Sequence, residues 1–519
     1  MPILGSIIKR GLTLGEKLER QNVAPILLQT RTLRRLLRMA SQTTFGQYYD
    51  FKELLKSSNL IEDFQQKVPI HNYDTMYERW WHMTLNQVEN VTWPGKVKYF
   101  ALSSGTSGAP SKHIPVTDHM IRAIRRGSTR MFFNLNRFNL EAELFTKGML
   151  LLGGSTTLQN HGDYFQGDLS GINAGKIPFW IRPFYKPGVE ISRINDWNDK
   201  IEEIAKHAPE WDVAFMVGIP AWIQLMMERI IEVNKVQHIH EVWPNLTVYV
   251  HGGVHFEPYR KGFEKLVGKP LIYMDSYLAS EGLISFQNRP DTRSMRMLLH
   301  NGIFFEFVPF NEENFDEEGN IRENAQALSI DEVEEGVNYA LLMSTCAGAW
   351  RYLIGDTIKF TDKERAEIIV TGRTKHYLSI VGEHLSVDNM NQAVRAAEEI
   401  LNIDIREFTV SAVQSGNFFA HKWYVGCHQN VDIPTLAKVL DEQLKIVNDD
   451  YRIERDHVLQ NIELEVIAPD AFNQWLESRG KLGGQNKFPR VMKKDLFEEW
   501  ERFVRQSPAA QMRSDEVLN

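Results

Sequence analysis

Thirteen residues, Ser103-Ser104-Gly105-Thr106-Ser107-Gly108-Ala109-Pro110-Ser111-Lys112-His113-Ile114-Pro115, constrain this chain more than any other stretch. They crowd hydroxyls, glycines and one lysine together. Backbone N–H groups, side-chain O–H donors and a point charge are the groups that solvate a polyphosphate, and glycine lets backbone approach it closely. Val97, Tyr99, Phe100 and Leu102 lead in at alternating spacing, which predicts that the loop leaves a strand, while Thr117 and Asp118 predict the cap and first turn of a following helix. The Walker pattern is not met, because no Gly-Lys-Ser/Thr closes the loop at the required spacing. A polar surface loop has the same composition, so the rest of the chain must decide.

A chain of 519 residues exceeds one ordinary core, and two or more domains are expected. The formal net charge of -8 argues against general nucleic-acid binding, which needs a basic balance to neutralise phosphates. Cys346 and Cys427 stand far apart without a CxxC, which suits a reducing compartment and excludes a cysteine-built metal site. No apolar run reaches the length of a membrane span, and the opening Met1 to Gly11 places its basic residues after the short apolar patch, not in signal-peptide order. The expectation is a cytoplasmic protein, monomer or weak homo-oligomer.

Residues 20–40 alternate Leu27, Leu28, Leu33, Leu36 and Leu37 with Arg31, Arg34, Arg35 and Arg38, an amphipathic helix read here as a core helix with a solvated basic face. From Ser103 to about Gly302, short apolar runs (149–152, 213–217) alternate with helical segments (220–233), which argues an α/β layer architecture. Leu246 to Val250 reads as a buried strand ending in His251-Gly252-Gly253. His251 and His255, with His238 and His240, invite a metal reading, but no carboxylate set stands at liganding spacing and satisfied structural histidines are favoured. In Ile272 to Gly282, strand formers run into a turn that presents Tyr277, Ser280 and Glu281. An aromatic ring can stack on a purine, a hydroxyl can bond phosphate, and a carboxylate can hold Mg²⁺. The acidic segment 311–335 reads as a solvated excursion between strands at 303–308 and 339–344.

After Trp350-Arg351-Tyr352-Leu353-Ile354 comes Gly355-Asp356, a turn carboxylate of the kind that accepts from two ribose hydroxyls, or an ordinary Asp turn. Thr371-Gly372-Arg373 ends an apolar run, and the texture changes. The remainder of the chain predicts a small α+β domain: a helix over 390–401, a hairpin turning at 415–417, a helix over 436–447, a strand over 462–467 and a short helix capped at Asp470. A glycine loop, Gly483-Gly484-Gln485-Asn486-Lys487-Phe488-Pro489-Arg490, then presents Lys487.

Five patterns therefore stand in order: SSGTSGAPSKHIP, YLASEG, YLIGD, GRTKHYLSIVGEHLS and QNKFPR. Over about residues 30–505 this resembles the adenylate-forming superfamily, and within it the Gretchen Hagen family of acyl-acid amido synthetases. The resemblance implies an α/β fold with a large adenylation domain of layered sheets and helices over 1–372, and a small mobile α+β domain over 373–519, hinged near 372–374. It implies ATP and Mg²⁺ as cofactors, with Ser103, Ser104, Gly105, Thr106, Ser107 and Lys112 on the triphosphate, and Tyr277 and Ser280 on the nucleotide. Glu281 is the implied Mg²⁺ ligand, Asp356 the ribose acceptor, Arg373 part of the hinge, and Lys487 the lysine that bridges phosphate and carboxylate. Departures from the pattern are Gly108-Ala109-Pro110-Ser111 in the loop, Leu353 before Gly355-Asp356, and His384 where plant members carry lysine.

The implied reaction activates a small carboxylic acid as its adenylate and transfers the acyl group to an amino acid's amine. Alternatives are an acyl-adenylating ligase with a thiol acceptor such as coenzyme A, and a nucleotide-binding protein that has lost turnover. A serine hydrolase is disfavoured, since Gly105-Thr106-Ser107-Gly108 is not a Gly-x-Ser-x-Gly elbow. Trp180, Phe184, Tyr185 and Trp222 are candidate acyl-pocket liners, and ordinary core aromatics read the same from sequence.

Overall fold

A computed structural model describes residues 9–11, 13, 23–103, 112–177, 182–253, 256, 259–316, 319–375, 377–383, 385–479 and 488–506. They fall into two compact units, one ending at Lys375 and one built from the residues beyond it.

The first unit is organised by a mixed sheet of eleven strands among the described residues. Six form an antiparallel half in the spatial order Ile303–Pro309, Asn338–Thr345, Tyr352–Asp362, Glu367–Arg373, Met295–Met297 and Gly282–Phe286. Five form a parallel half in the order Ile272–Ala279, Val248–His251, Val213–Val217, Gly148–Leu151 and Tyr185–Lys186. The central parallel strands are apolar and buried on both faces. The two halves join at one hairpin, Ile272–Ala279 with Gly282–Phe286, whose two-residue turn is Ser280-Glu281. The site turn thus lies where the sheet changes from parallel to antiparallel.

A smaller sheet orders Lys112–Val116, Tyr99–Ser103, Phe165–Gly167 and Gln159–Asn160. Its first two strands are antiparallel, with Ser103 opposite Lys112. Thr117 caps the next helix, Asp118–Asn134, by accepting from the Met120 N–H. The basic helix Pro25–Ala40 buries Leu33, Leu36 and Leu37 and turns Arg31, Arg35 and Arg38 outward, a core helix with a solvated face as its spacing predicts. It is pinned by Gln29 and Thr32, which donate to the Leu299 carbonyl. Trp350 closes the core between Phe45, Phe51 and Phe64. The acidic excursion is partly anchored: Ile330 and Val333 are buried beneath it.

The second unit pairs Ile405–Ser415 with Phe418–Cys427 as a long hairpin, and Glu463–Ile467 runs parallel to the second strand. Helices Val387–Leu401, Ile433–Val447, Asp449–His457, Asp470–Ser478 and Lys494–Gln506 complete it, with Trp500 buried at the centre of an aromatic cluster. Asp470 is the first helical residue and not the cap. Pro469 holds the cap position, and its fixed φ starts the helix without a side-chain acceptor.

Candidate active site

Three segments of the first unit converge on one cluster. The tight turn after Ile272–Ala279 supplies Glu281, the strand Tyr352–Asp362 supplies Asp356, and the neighbouring strand supplies Arg373, which sits opposite Asp356 in antiparallel register. The Arg373 Nε donates to Asp356 Oδ1 at 2.8 Å, and the Tyr277 hydroxyl donates to Asp356 Oδ2. Asp356 is thereby held by a cation on one oxygen and a phenol on the other. Burial, and then the Asp356 charge, push the Tyr277 phenol well above its ordinary range, so it stays a donor. Ser280 is half-buried in the turn beside it.

Glu281 is 7 % exposed. Burial pushes its carboxyl up to about 7 and Asp356 pushes in the same direction, while its own backbone N–H, Lys112 and Arg373 pull it down without prevailing. Lys112 opens the strand Lys112–Val116. Burial lowers its ammonium to about 8, against the opposing attraction of Glu281 and Asp74, and its Nζ lies 5.3 Å from the centroid of the Tyr73 ring. Tyr73 also accepts from the His113 N–H at 2.9 Å, which fixes the start of that strand. Tyr352 adds a buried phenol raised by desolvation and by the Glu281 charge beside it. The cluster can neutralise and orient an incoming anion, present a carboxylate to a cation, and hold vicinal hydroxyls at Asp356.

Ser103 ends its strand at this loop. Ser104, Gly105, Thr106, Ser107, His384, Lys487, His255 and Trp180 lie outside the described residues. Lys112, Tyr277, Glu281, Asp356 and Arg373 do come together. The histidines read as structural are placed so: His240 accepts from the Gly268 N–H on Nδ1 and lies 3.0 Å from the Leu246 carbonyl on Nε2, while buried His251 lies 3.2 Å from Asp275. Arg351 is equally structural. Its guanidinium pairs with Glu306 at 3.0 Å and donates to the Gln65 and Val68 carbonyls. Of the expected acyl liners, Phe184 is exposed, Trp222 is buried against Trp197 at 3.9 Å between ring centroids, and Tyr185 is buried. Tyr73 and Tyr352 join the site without having been expected there. Tyr352 carries a signal in the sequence, adjacency to the Gly-Asp pair, which the structure places within the strand Tyr352–Asp362 and not at the expected turn, whereas Tyr73 reaches Lys112 from about forty residues away and carries none.

Sequence profiles settle the lineage. The GH3 family N-terminal domain matches residues 15–198 and 155–272, the GH3 family central domain 296–367, and the GH3 family C-terminal domain 388–495. The chain belongs to the GH3 family. This GH3 chain is 25% identical over 277 residues to indole-3-acetic acid-amido synthetase GH3.4 of Arabidopsis thaliana, covering 49% of this chain and 45% of that protein. It is 26% identical over 276 residues to jasmonoyl-L-amino acid synthetase GH3.5 of Oryza sativa subsp. japonica, covering 49% and 47%. The chain spans about half the length of the curated relatives it matches. Its fold is similar to that of the acyl acid amido synthetase GH3.15, with TM-score 0.59, 18% identity and 95% of each chain covered. It is also similar to that of 2-hydroxyisobutyryl-CoA ligase, with TM-score 0.58, 12% identity, and 93% and 92% covered. The GH3 fold is therefore the adenylate-forming fold, with its large α/β part and a C-terminal domain.

Proposed function

We propose that this GH3 chain is an ATP-dependent acyl-acid amido synthetase, which adenylates a small carboxylic acid and passes the acyl group to the amine of an amino acid. The observation that carries the reading is Asp356, clamped between Tyr277 and Arg373, with Glu281 and Lys112 beside it. This is a hydroxyl-binding carboxylate next to a carboxylate and a lysine that are both uncomfortable without a phosphate and a cation. Relatives named as indole-3-acetic acid-amido and jasmonoyl-L-amino acid synthetases support the same reaction class.

In this reading Asp356 accepts from the ribose hydroxyls, and Arg373 with Tyr277 keeps its oxygens aimed. Lys112 and the loop 103–107 meet the phosphates, and Lys487 meets the α-phosphate and the acid's carboxylate together. The residues present fit magnesium: Glu281 is a buried oxygen donor whose charged state, opposed by burial and by Asp356, a divalent cation would favour. Bound there, the metal would screen the phosphate charge that opposes attack by the carboxylate oxygen. That attack releases pyrophosphate, and a neutral amine then displaces AMP to leave the amide. The division into an adenylation domain over 1–372 and a small domain over 373–519 belongs to the same proposal.

Acid-dependent exchange of labelled pyrophosphate into ATP, across aryl, indolyl and aliphatic acids, tests the first half-reaction. Exchange with some acids and not others is expected. Exchange with none, alongside ATP binding, sinks the synthetase reading. Because the same fold carries a coenzyme A ligase, competition between amino acids and coenzyme A for the preformed adenylate then identifies the acceptor.

A further inference from the structure

The first unit carries opposite charge at the two ends of one edge strand. Helices Pro25–Ala40 and Asp118–Asn134 both seat on the turn 299–302 that leads into the strand Ile303–Pro309. Gln29 donates to the Leu299 carbonyl at 2.6 Å and the Ile303 carbonyl at 3.2 Å, and Asn301 donates to the Ala123 carbonyl at 2.8 Å. The outer faces of these helices hold Arg31, Arg35, Arg38, Arg122 and Arg126, all exposed. Among the described residues no carboxylate forms an ion pair with any of them. Arg122 and Arg126 stand one helical turn apart, a like-charge spacing that costs a helix stability. Partial desolvation lowers the Arg126 guanidinium, and the charges of Arg35, Arg130 and Arg122 lower it further, so the two helices share one basic field.

The other end of the strand leads into the acidic excursion. Glu312 and Glu313 follow it closely, and Glu334 lies where the chain returns to the strand Asn338–Thr345, whose Tyr339 pairs with Pro309. These three are exposed, and among the described residues no cation forms an ion pair with them. The strand has seven residues, so about 20 Å separate its ends. Charges that could neutralise one another are held apart within one chain.

This strand is an outer edge of the eleven-stranded sheet, yet its backbone is already satisfied. The Phe305 N–H donates to Gln29 at 2.7 Å, and Phe307 exchanges bonds with Leu328 at 2.9 and 2.7 Å. A neighbour on this side meets charged side chains and not an open strand. Turned end for end, a second copy presents its carboxylates to these arginines and its arginines to these carboxylates. One two-fold axis closes both contacts. A specific interface of about 800 Å² per partner is about 30 Å across and takes in both ends. A foreign polyanion would satisfy the basic end alone.

We propose that this side of the first unit is a homodimer interface, an antiparallel two-fold pair in which Arg35 and Arg126 of each copy meet Glu312 and Glu313 of the other. Sedimentation velocity of the full chain without nucleotide tests it, independently of the synthetase reading. From about 0.01 to about 1 M salt the screening length falls from about 30 to about 3 Å, and the dimer's dissociation constant should rise tenfold or more. Arg35→Glu with Arg126→Glu, and separately Glu312→Arg with Glu313→Arg, should each give a folded monomer, because all four side chains are exposed. Mixing the two reversed chains should restore a dimer, since opposite charges again face each other at both contacts. A chain that had merely lost stability would not regain a partner in this way. A monomeric wild type at low salt, a dimer indifferent to salt or to both reversals, association that runs past two copies, or reversed chains that stay apart when mixed each overturns the proposal. Capture of polyglutamate by a monomeric wild type overturns it too, and assigns the basic face to a foreign acidic protein. Should one reversed chain fail to fold, the wild-type salt series and the other reversal decide.

Discussion

Glu281 in the first unit and Glu383 in the second are both buried carboxylates, and they sit at opposite ends of the acidity scale. Glu383 accepts from the N–H groups of Ile380, Val381 and Gly382, at 2.9–3.1 Å, and lies 2.8 Å from the Nε2 of buried His421. Burial alone would raise it, but the histidine and those amides outweigh burial and hold it down at about 2. Glu281 faces the same desolvation with its own backbone N–H, the Tyr352 hydroxyl, the charges of Lys112 and Arg373, and the opposing Asp356 carboxylate, and rises to about 7. The contrast teaches how to tell a structural carboxylate from one kept for a ligand. A saturated carboxylate is already part of the fold, whereas one short of donors is waiting for charge from outside.

The largest effect should come from breaking the saturated one. Glu383→Ala strands three amides and an imidazole in a dry site, and chemical denaturation should show a loss of about 3–5 kcal/mol. Glu281→Gln should do the reverse, leaving the unfolding midpoint unchanged or raised while pyrophosphate exchange drops about 10²–10³-fold. A denaturation midpoint that falls with Glu281→Gln would put both carboxylates in the structural class.

The two should also answer pH with opposite signs. Glu383 is more acidic folded than unfolded, so its contribution, about 3 kcal/mol, is present above pH 4.5 and lost as pH falls toward about 2. Glu281 binds its proton more tightly folded, so its contribution is fully present below pH 4.5 and lost as pH rises through about 7. Stability curves of Glu281→Gln should therefore be flatter than wild type between those values. The smallest effect is expected of Tyr277→Phe, which removes one donor from Asp356. A hydrogen bond to a charged group is worth about 1.5–3 kcal/mol, so equilibrium dialysis should show ATP binding weakened tenfold or more, with exchange retained at saturating ATP.

Much of the molecule is legible in local pattern. The strand Tyr99–Ser103, the Thr117 cap, the hairpin of the second unit and the turn bearing Glu281 all announce themselves within ten residues, where spacing and turn chemistry act, whereas Gly355-Asp356, read as a turn, lies within the strand Tyr352–Asp362, whose pairing partners are distant in sequence. The hidden part depends on chain closure. The bond from Tyr277 to Asp356 spans 79 positions, and nothing around Tyr277 marks it as a support for another residue's carboxylate. The strand Lys112–Val116 reads only as part of a loop, because its pairing with Tyr99–Ser103 leaves no periodic trace of its own in five residues. Lys200 looks like any polar position on an amphipathic helix, and only the approach of Gly153 and Trp197 reveals it as buried.

Arg373 has two employments at once. It grips Asp356, and it is the last residue of the strand from which the chain runs on through Thr374, whose N–H is tied to the Gly355 carbonyl at 2.8 Å. A twist in the chain at this point would pull on the same carboxylate that is assigned to the ribose, as a rein pulls on a bit. Under the proposed function, nucleotide occupancy and the backbone path beyond residue 373 would be geared together through this one contact, without any relay of intermediate side chains between them.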